Sequence, residues 1–341
     1  MKKKPIVVSM GEPSGISSEI LIKAWKQRKK YNLQPFFLVD NFERVNSLKR
    51  TLDLSFNSAL IDKPSDACKS FSTHLPIYNI GKRISFELGI PNKVNSSLII
   101  ESIEKSFDFV LDKKAKGLLT LPVCKKTLKM SGFKFNGQTE FIGELSKKKN
   151  SVDDEEIMIL STTKPIDNGK NLIVGLVTTH IPLKKIFRIL TKEKIEKKLK
   201  VFNDSLKTIW RIKNPKIGIT GFNPHSGEDG LIGLEEKELI NPIIKKYSAK
   251  GMKIDGPLSS DTCFFKNFRK KYDGILCLYH DQGLSPIKTL DFFNSINVTA
   301  GLSILRVSPD HGPAFDIVKK KCARINSIIA SLKFLENKID D

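Results

Sequence analysis

Residues 274–283 read Gly274-Ile275-Leu276-Cys277-Leu278-Tyr279-His280-Asp281-Gln282-Gly283. A short unbroken apolar run opened by glycine predicts a strand buried on both faces. A histidine follows it, and then a turn-rich segment. The arrangement occurs twice more. Leu172–Thr179 leads into His180, and Ile217–Gly221 leads through Phe222-Asn223-Pro224 into His225. Further strands are predicted at Pro5–Met10, Pro35–Val39, Leu75–Ile80, Gly117–Leu121, Glu156–Ser161 and Ile296–Thr299. Helical patterns lie between them: Ser18–Gln27, Asn41–Leu52, Asn92–Leu111, Gln138–Lys147, Thr191–Trp210, Leu234–Tyr247, Thr262–Lys271 and a stretch near Asn326–Glu336. This alternation predicts an α/β protein with a largely parallel sheet. In such sheets ligands gather at the carboxyl ends of the strands, where these three histidines stand.

The chain has 341 residues, which suits two domains or one large α/β unit. With 40% apolar and 28% charged residues it has the composition of a globular protein with a sizeable core. No apolar run approaches the roughly 18 residues of a membrane span. The stretch Met1–Gly11 is too weakly apolar for a secretory signal, and Glu12 follows it. Five scattered cysteines without a CxxC argue against a disulfide scaffold or zinc ribbon and point to a reducing cytoplasm. The formal net charge is 58 − 37 = +21. Lysines are spread over the chain, among them Lys2–Lys4, Lys147–Lys149, Lys197–Lys198, Lys245–Lys246 and Lys319–Lys321, and no tract combines them with aromatics. A solvated lysine-rich surface accounts for this pattern better than nucleic-acid binding, which stays open as an alternative.

Three imidazoles with one open position make a catalytic divalent-metal site, and neutral imidazole suits zinc and its neighbours. The long gaps between His180, His225 and His280 carry no ligand signature, so three unrelated loop histidines are the competing reading. Asp261, in Gly256-Pro257-Leu258-Ser259-Ser260-Asp261-Thr262, ends a turn that opens a predicted helix. It is either part of a helix N-cap or a carboxylate near the metal, orienting a ligand.

Several motifs in order resemble the 4-hydroxythreonine-4-phosphate dehydrogenase family of pyridoxal phosphate biosynthesis. They begin at Gly11-Glu12-Pro13-Ser14-Gly15-Ile16 and end at Asp310-His311-Gly312-Pro313-Ala314-Phe315-Asp316. The most specific are Tyr279-His280-Asp281-Gln282-Gly283-Leu284, Lys288, Asn297-Val298-Thr299-Ala300-Gly301-Leu302 and Arg306. The resemblance implies an isocitrate/isopropylmalate dehydrogenase-like fold: two α/β domains with an active-site cleft between them. It further implies a homodimer whose active site is shared across the interface. His180 and His225 of one subunit and His280 of the other would hold one divalent metal (Zn, Mg or Co). Gln138, Thr139, Lys288, Asn297 and Arg306 would contact the phosphorylated substrate, since Lys and Arg supply charge-assisted donors to a phosphate. Asp310, His311, Gly312 and Ala314 would meet NAD or NADP, and Asp261 and Lys288 would serve catalysis. The first domain is expected at 1–130 plus 300–341, with the cofactor loop near 310–316. The second, at 131–299, is expected to carry the metal histidines and the dimer contacts.

The implied reaction is oxidation of 4-phosphooxy-L-threonine, followed by decarboxylation to 3-amino-2-oxopropyl phosphate. Gln138 departs from the family, which usually has histidine there, and glutamine does not titrate near neutral pH. Ser17-Ser18, Pro313 and Val318-Lys319-Lys320-Lys321 also depart from the usual motifs. A paralogue acting on another phosphorylated hydroxy acid, of the threonate or erythronate phosphate type, therefore stays open. So do a basic nucleic-acid-binding protein on the same scaffold and an inactive metal-binding homologue.

Overall fold

The computed structural model describes residues 4–81, 84–150, 155–166 and 169–338. Met1–Lys3, within the stretch read for a signal, lie outside the described residues. The chain forms two compact units, Met1–Val152 with Ser303–Asp341, and Asp153–Leu302.

It starts in the first unit with strands β1 (Ile6–Ser9), β2 (Phe36–Asp40), β3 (Ser58–Leu60), β4 (Leu75–Asn79) and β5 (Leu118–Thr120). It then runs through the second unit as β6 (Ile157–Ser161), β7 (Ile173–Leu176), β8 (Lys216–Thr220), β9 (Lys253–Leu258), β10 (Gly274–Cys277) and β11 (Ile296–Ala300). It returns to the first unit as β12 (Arg306–Pro309).

In the first unit the strand order is β3-β4-β2-β1-β5-β12, and every pairing is parallel. The apolar runs explain this, because parallel strands are covered on both faces. Val7, Val8, Phe37, Leu38, Leu118 and Leu119 are all fully buried. Helix Gln138–Asn150, read from the sequence as part of the second domain, belongs here. Phe141 packs edge-on against Phe133, and the Ser146 and Ser303 hydroxyls are 2.9 Å apart. At β2 the carboxylate of Asp40 accepts from Nε and Nη2 of Arg44, a pair almost wholly shielded from solvent.

In the second unit the order is β11-β6-β7-β10-β8-β9. Strands β7, β10, β8 and β9 run parallel, whereas β6 pairs antiparallel with both β11 and β7. Helix Lys192–Thr208 buries Ile195, Leu199, Phe202 and Leu206, residues at helical spacing, and Thr191 caps its start by accepting from the Lys194 N–H. Phe202 packs closely on two strand glycines: a Cβ built on Gly175 would stand 2.7 Å from its ring, and one on Gly274 2.6 Å. Gly175→Ala is therefore expected to cost about 1–3 kcal/mol of stability by overpacking. An unchanged midpoint in thermal unfolding would show instead that Phe202 slides aside.

Two predicted segments differ, and strands β3 and β9 have no predicted counterpart. Thr262–Lys271 is helical only over Lys266–Arg269. Cys263 and Phe264 turn into the core and Phe265 is extended, which breaks the run. The segment after His280, expected to be rich in turns, is helix His280–Leu290 despite Gly283 and Pro286. Gly283 packs where a Cβ would meet the Val174 side chain at 2.7 Å, so tertiary contact outweighs propensity. Strands β3 and β9 are edges, where Gly256 and Pro257 cost no ladder bonds on the outer side, and they gave no alternating signal.

Candidate functional site

Strands β7, β10 and β8 are consecutive parallel neighbours, so the segments carrying His180, His280 and His225 leave the same end of one sheet. Two bonds fasten the first pair of ends: Val177 N–H donates to the Cys277 carbonyl and the Thr178 hydroxyl to the Leu278 carbonyl, both at 2.8 Å. The His180 and His280 rings consequently lie with centroids 5.5 Å apart. This proximity is found within one chain, whereas the resemblance assigns His180 and His225 to one subunit and His280 to its partner. Among the described residues no group of three His, Cys, Asp or Glu side chains is close enough to hold a metal ion.

The donor chemistry nonetheless fits a divalent metal. His280 Nδ1 is 2.7 Å from Asp281 Oδ1, and His225 Nδ1 is 2.6 Å from Glu228 Oε1. A carboxylate on Nδ1 holds the proton there and leaves Nε2 as the free lone pair, which is the usual arrangement behind a metal-bound imidazole. The hydrogen bond that His225 donates to Glu228, and then the carboxylate's charge, raises the pKa of the exposed His225 above its ordinary value. Asp261 is exposed, and the Ser259 hydroxyl holds its carboxyl below the usual range, with His225 adding to the effect. It is an ionised carboxylate in electrostatic contact with His225.

The His225 loop is strained. His225, Ser226, Gly227, Glu228 and Asp229 all have positive φ, between 40° and 79°. Left-handed conformations cost non-glycine residues roughly 1–2 kcal/mol each, so something must hold them. Glu236 does so. Its Oε1 accepts from Phe222 N–H and Asn223 N–H, both at 2.7 Å, and its Oε2 from the Asn223 side chain at 2.9 Å. Burial works against its charge, but the Asn223 bonds prevail and hold the carboxyl below its usual pKa. Glu236 opens a π-helical turn, Glu236–Ile240, an irregularity that often marks functional sites.

Elsewhere in the second unit, Lys288 Nζ stands 5.0 Å from the centroid of the Phe292 ring, and Asn297 lies on β11 with its Oδ1 buried and unbonded.

In the first unit Arg306, on β12, is buried and bonded to two threonines. Nε and Nη2 donate to Thr120 Oγ1 at 2.9 and 2.6 Å, and Nη1 to Thr139 Oγ1 at 3.3 Å. Burial pushes its pKa down to about 10, with Glu140 opposing. A guanidinium in that state favours an anion. Gln138 begins the helix that carries Thr139, and its Nε2 donates to the Leu121 carbonyl at 3.0 Å.

Loop 310–314 is pinned from both sides. Asp310 N–H donates to Ser327 Oγ at 3.2 Å, and Ile16 N–H donates to the Pro313 carbonyl at 2.9 Å. Gly15 allows this approach, since a Cβ there would be 2.7 Å from the Pro313 oxygen. His311 Nδ1 is 2.9 Å from the Gly312 carbonyl, Ala314 has φ 49°, and Gly312 faces open space. A pinned loop with one open side fits a dinucleotide.

Sequence reasoning assigned no role to Glu12, Glu228, Glu236 or Gln282. Glu12 is fully buried, and burial raises its pKa against the Ser14 N–H. For Glu228 the available signal was its place three residues after a candidate ligand. Gln282 stands two residues after a candidate ligand and inside the Tyr279–Leu284 motif, but only the fold brings it, like Glu236, to its partners.

A split α/β unit with a second one inserted, and histidines at parallel strand ends, defines a two-unit α/β protein whose candidate site lies at the carboxyl ends of its strands. A solved terephthalate 1,2-cis-dihydrodiol dehydrogenase from Burkholderia xenovorans LB400 shares this fold, with TM-score 0.60, 19% identity and 97% of each chain covered. The family profile "Pyridoxal phosphate biosynthetic protein PdxA" matches residues 34–335. A curated 4-hydroxythreonine-4-phosphate dehydrogenase from Zymomonas mobilis subsp. mobilis is 36% identical over 334 residues, covering 98% of this chain and 95% of the relative. The 4-hydroxythreonine-4-phosphate dehydrogenase structure from Klebsiella pneumoniae aligns with TM-score 0.81 and 30% identity, covering 98% of this chain and 99% of that one. The chain belongs to the PdxA family.

Proposed function

We propose that the chain oxidises 4-phosphooxy-L-threonine with NAD or NADP in a divalent-metal-dependent reaction, and that the β-keto acid formed loses carbon dioxide to give 3-amino-2-oxopropyl phosphate for pyridoxal 5′-phosphate synthesis. The observation that carries this reading is the His180–His280 pair at the ends of adjacent strands, with His280 inside the Tyr279–Leu284 motif. His180, His225 and His280 would hold zinc, magnesium or cobalt, which when bound acts as a Lewis acid on the substrate hydroxyl. Arg306, Lys288, Asn297, Thr139 and Gln138 bind and orient the phosphorylated substrate. Lys288 also supplies positive charge for the enolate left by decarboxylation. Asp261, held ionised in the resting site, balances imidazole charge or accepts a proton during the reaction. Asp310, His311, Gly312 and Ala314 would seat the dinucleotide, whose nicotinamide would supply the hydride-accepting chemistry.

The working form is proposed to be a homodimer in the cytoplasm. Leu183, Phe187 and Leu231 are 65%, 64% and 87% exposed beside the histidine loops, which favours burial against a second copy. All five cysteines are free, in keeping with a reducing compartment. No helix among the described residues is long and apolar enough to cross a membrane.

The test supplies purified chain with Zn²⁺, Mg²⁺ or Co²⁺, 4-phosphooxy-L-threonine and NAD or NADP. Chelator-sensitive formation of reduced nicotinamide is expected, and none with any combination sinks the proposal. Gln138 favours keeping a second reading, an enzyme for another phosphorylated hydroxy acid, and threonate and erythronate phosphates in the same assay separate the two.

A pH dependence follows from His225. Only the neutral imidazole binds metal, so uptake at this position is present above its raised pKa and lost as pH falls through it. Glu228→Gln removes the cause of the shift. Its His225 is expected to titrate closer to 6.5 by NMR, and metal uptake should persist to lower pH. An unmoved titration would refute the assignment to Glu228.

A further inference from the structure

Gln282 lies two residues past His280, buried in helix His280–Leu290. Its carboxamide uses every hydrogen-bonding position it has. Oε1 accepts from the Leu278 N–H at 2.8 Å and the Thr220 hydroxyl at 2.6 Å. Nε2 donates to the Gly221 carbonyl at 2.7 Å and the Ser260 hydroxyl at 2.6 Å. Two partners fix which end is which, because the Leu278 N–H can only donate and the Gly221 carbonyl can only accept.

These partners belong to three separate segments. Leu278 leads into His280, Thr220 and Gly221 end β8 where the His225 loop departs, and Ser260 precedes Asp261. The Leu278 carbonyl in turn accepts from Thr178, on the segment leading to His180. One side chain thus ties together the roots of the His225 and His280 segments and the Asp261 turn, and the Thr178–Leu278 bond joins the His180 segment to them.

We infer that Gln282 is a positioning residue for the metal centre: its amide sets the spacing of the β8 and β10 ends, and through it the placement of His225, His280 and Asp261. This rests on the metal reading above. No other side chain of this size does the same. A carboxylate cannot donate to the Gly221 carbonyl, and a thioether makes none of the four bonds. Metal ligands must be placed within a few tenths of an ångström, so a relaxed spacing is felt first in affinity.

The test titrates the full chain with Co²⁺, read by its visible absorption, and follows unfolding separately by circular dichroism. Gln282→Met and Gln282→Glu are expected to bind Co²⁺ about 10–100-fold more weakly than wild type, the range found when the groups supporting metal ligands are removed. Ser260→Ala and Thr220→Val each remove one partner and are expected to weaken binding by about three- to tenfold. These two carry the test if the Gln282 variants do not fold. Ser102→Ala removes a buried hydroxyl bridging Met10 N–H and the Val39 carbonyl in the first unit. It is expected to lower the Tm and leave Co²⁺ affinity within about twofold. Folded variants at Gln282, Ser260 and Thr220 that bind Co²⁺ as tightly as wild type overturn the inference alone. Wild type that binds no Co²⁺, or that binds it no better than His180→Ala, overturns the metal reading and this inference with it.

Discussion

Replacing His280 with alanine is expected to lower kcat/KM on the order of 10³-fold or more, with loss of bound metal. The ring it removes is the one 5.5 Å from His180, and its Nδ1 is already held by Asp281, so Nε2 is its free ligating atom. No ready substitute stands beside it, since among the described residues no cluster of three His, Cys, Asp or Glu side chains is close enough to hold a metal ion. The fold should survive, because the side chain is 31% exposed and its loss leaves the Gln282 network intact. Metal analysis of the purified variant and steady-state kinetics measure both effects. Wild-type turnover with undiminished metal content would remove His280 from the centre.

Arg306→Met is expected to lower kcat/KM by roughly 10²–10⁴-fold. Two charge-assisted bonds to phosphate at about 1.5–3 kcal/mol each give a loss of about 3–6 kcal/mol. Stability should change little, because methionine fills a similar volume and removes a charge that burial disfavours. Arg306→Lys keeps the charge but loses the planar fork, and is expected to recover only part of the loss. If Arg306→Met keeps kcat/KM within threefold and instead unfolds more readily, the guanidinium belongs to the Thr120–Thr139 framework and not to substrate.

The strands with unbroken apolar runs were legible in the sequence, and every one predicted from such a run is present. What escaped was set by tertiary contact. Helix His280–Leu290 carries two residues that discourage helices, and its packing on β7 overrides them. The edge strands carry no burial pattern because one side has no neighbour. The histidines stood out because each ends a strand, and the sheet order makes them neighbours. The side chains that hold their loops did not, because Glu236 reaches back to Phe222 and Asn223, and Gln282 reaches Gly221 and Ser260. Those pairings exist only after the chain has folded, and no local spacing announces them.

The split of the first unit bears on the order in which the protein matures. Strand β12, paired beside β5, and helix Asn326–Lys338, buried along most of its length, both follow the whole inserted unit. During synthesis the inserted unit has all six of its strands available while β5 still lacks its outer neighbour. The portion translated first is thus finished last, and a chain truncated after residue 302 would leave β5 without its outer neighbour, an open parallel edge of the kind that pairs with other chains.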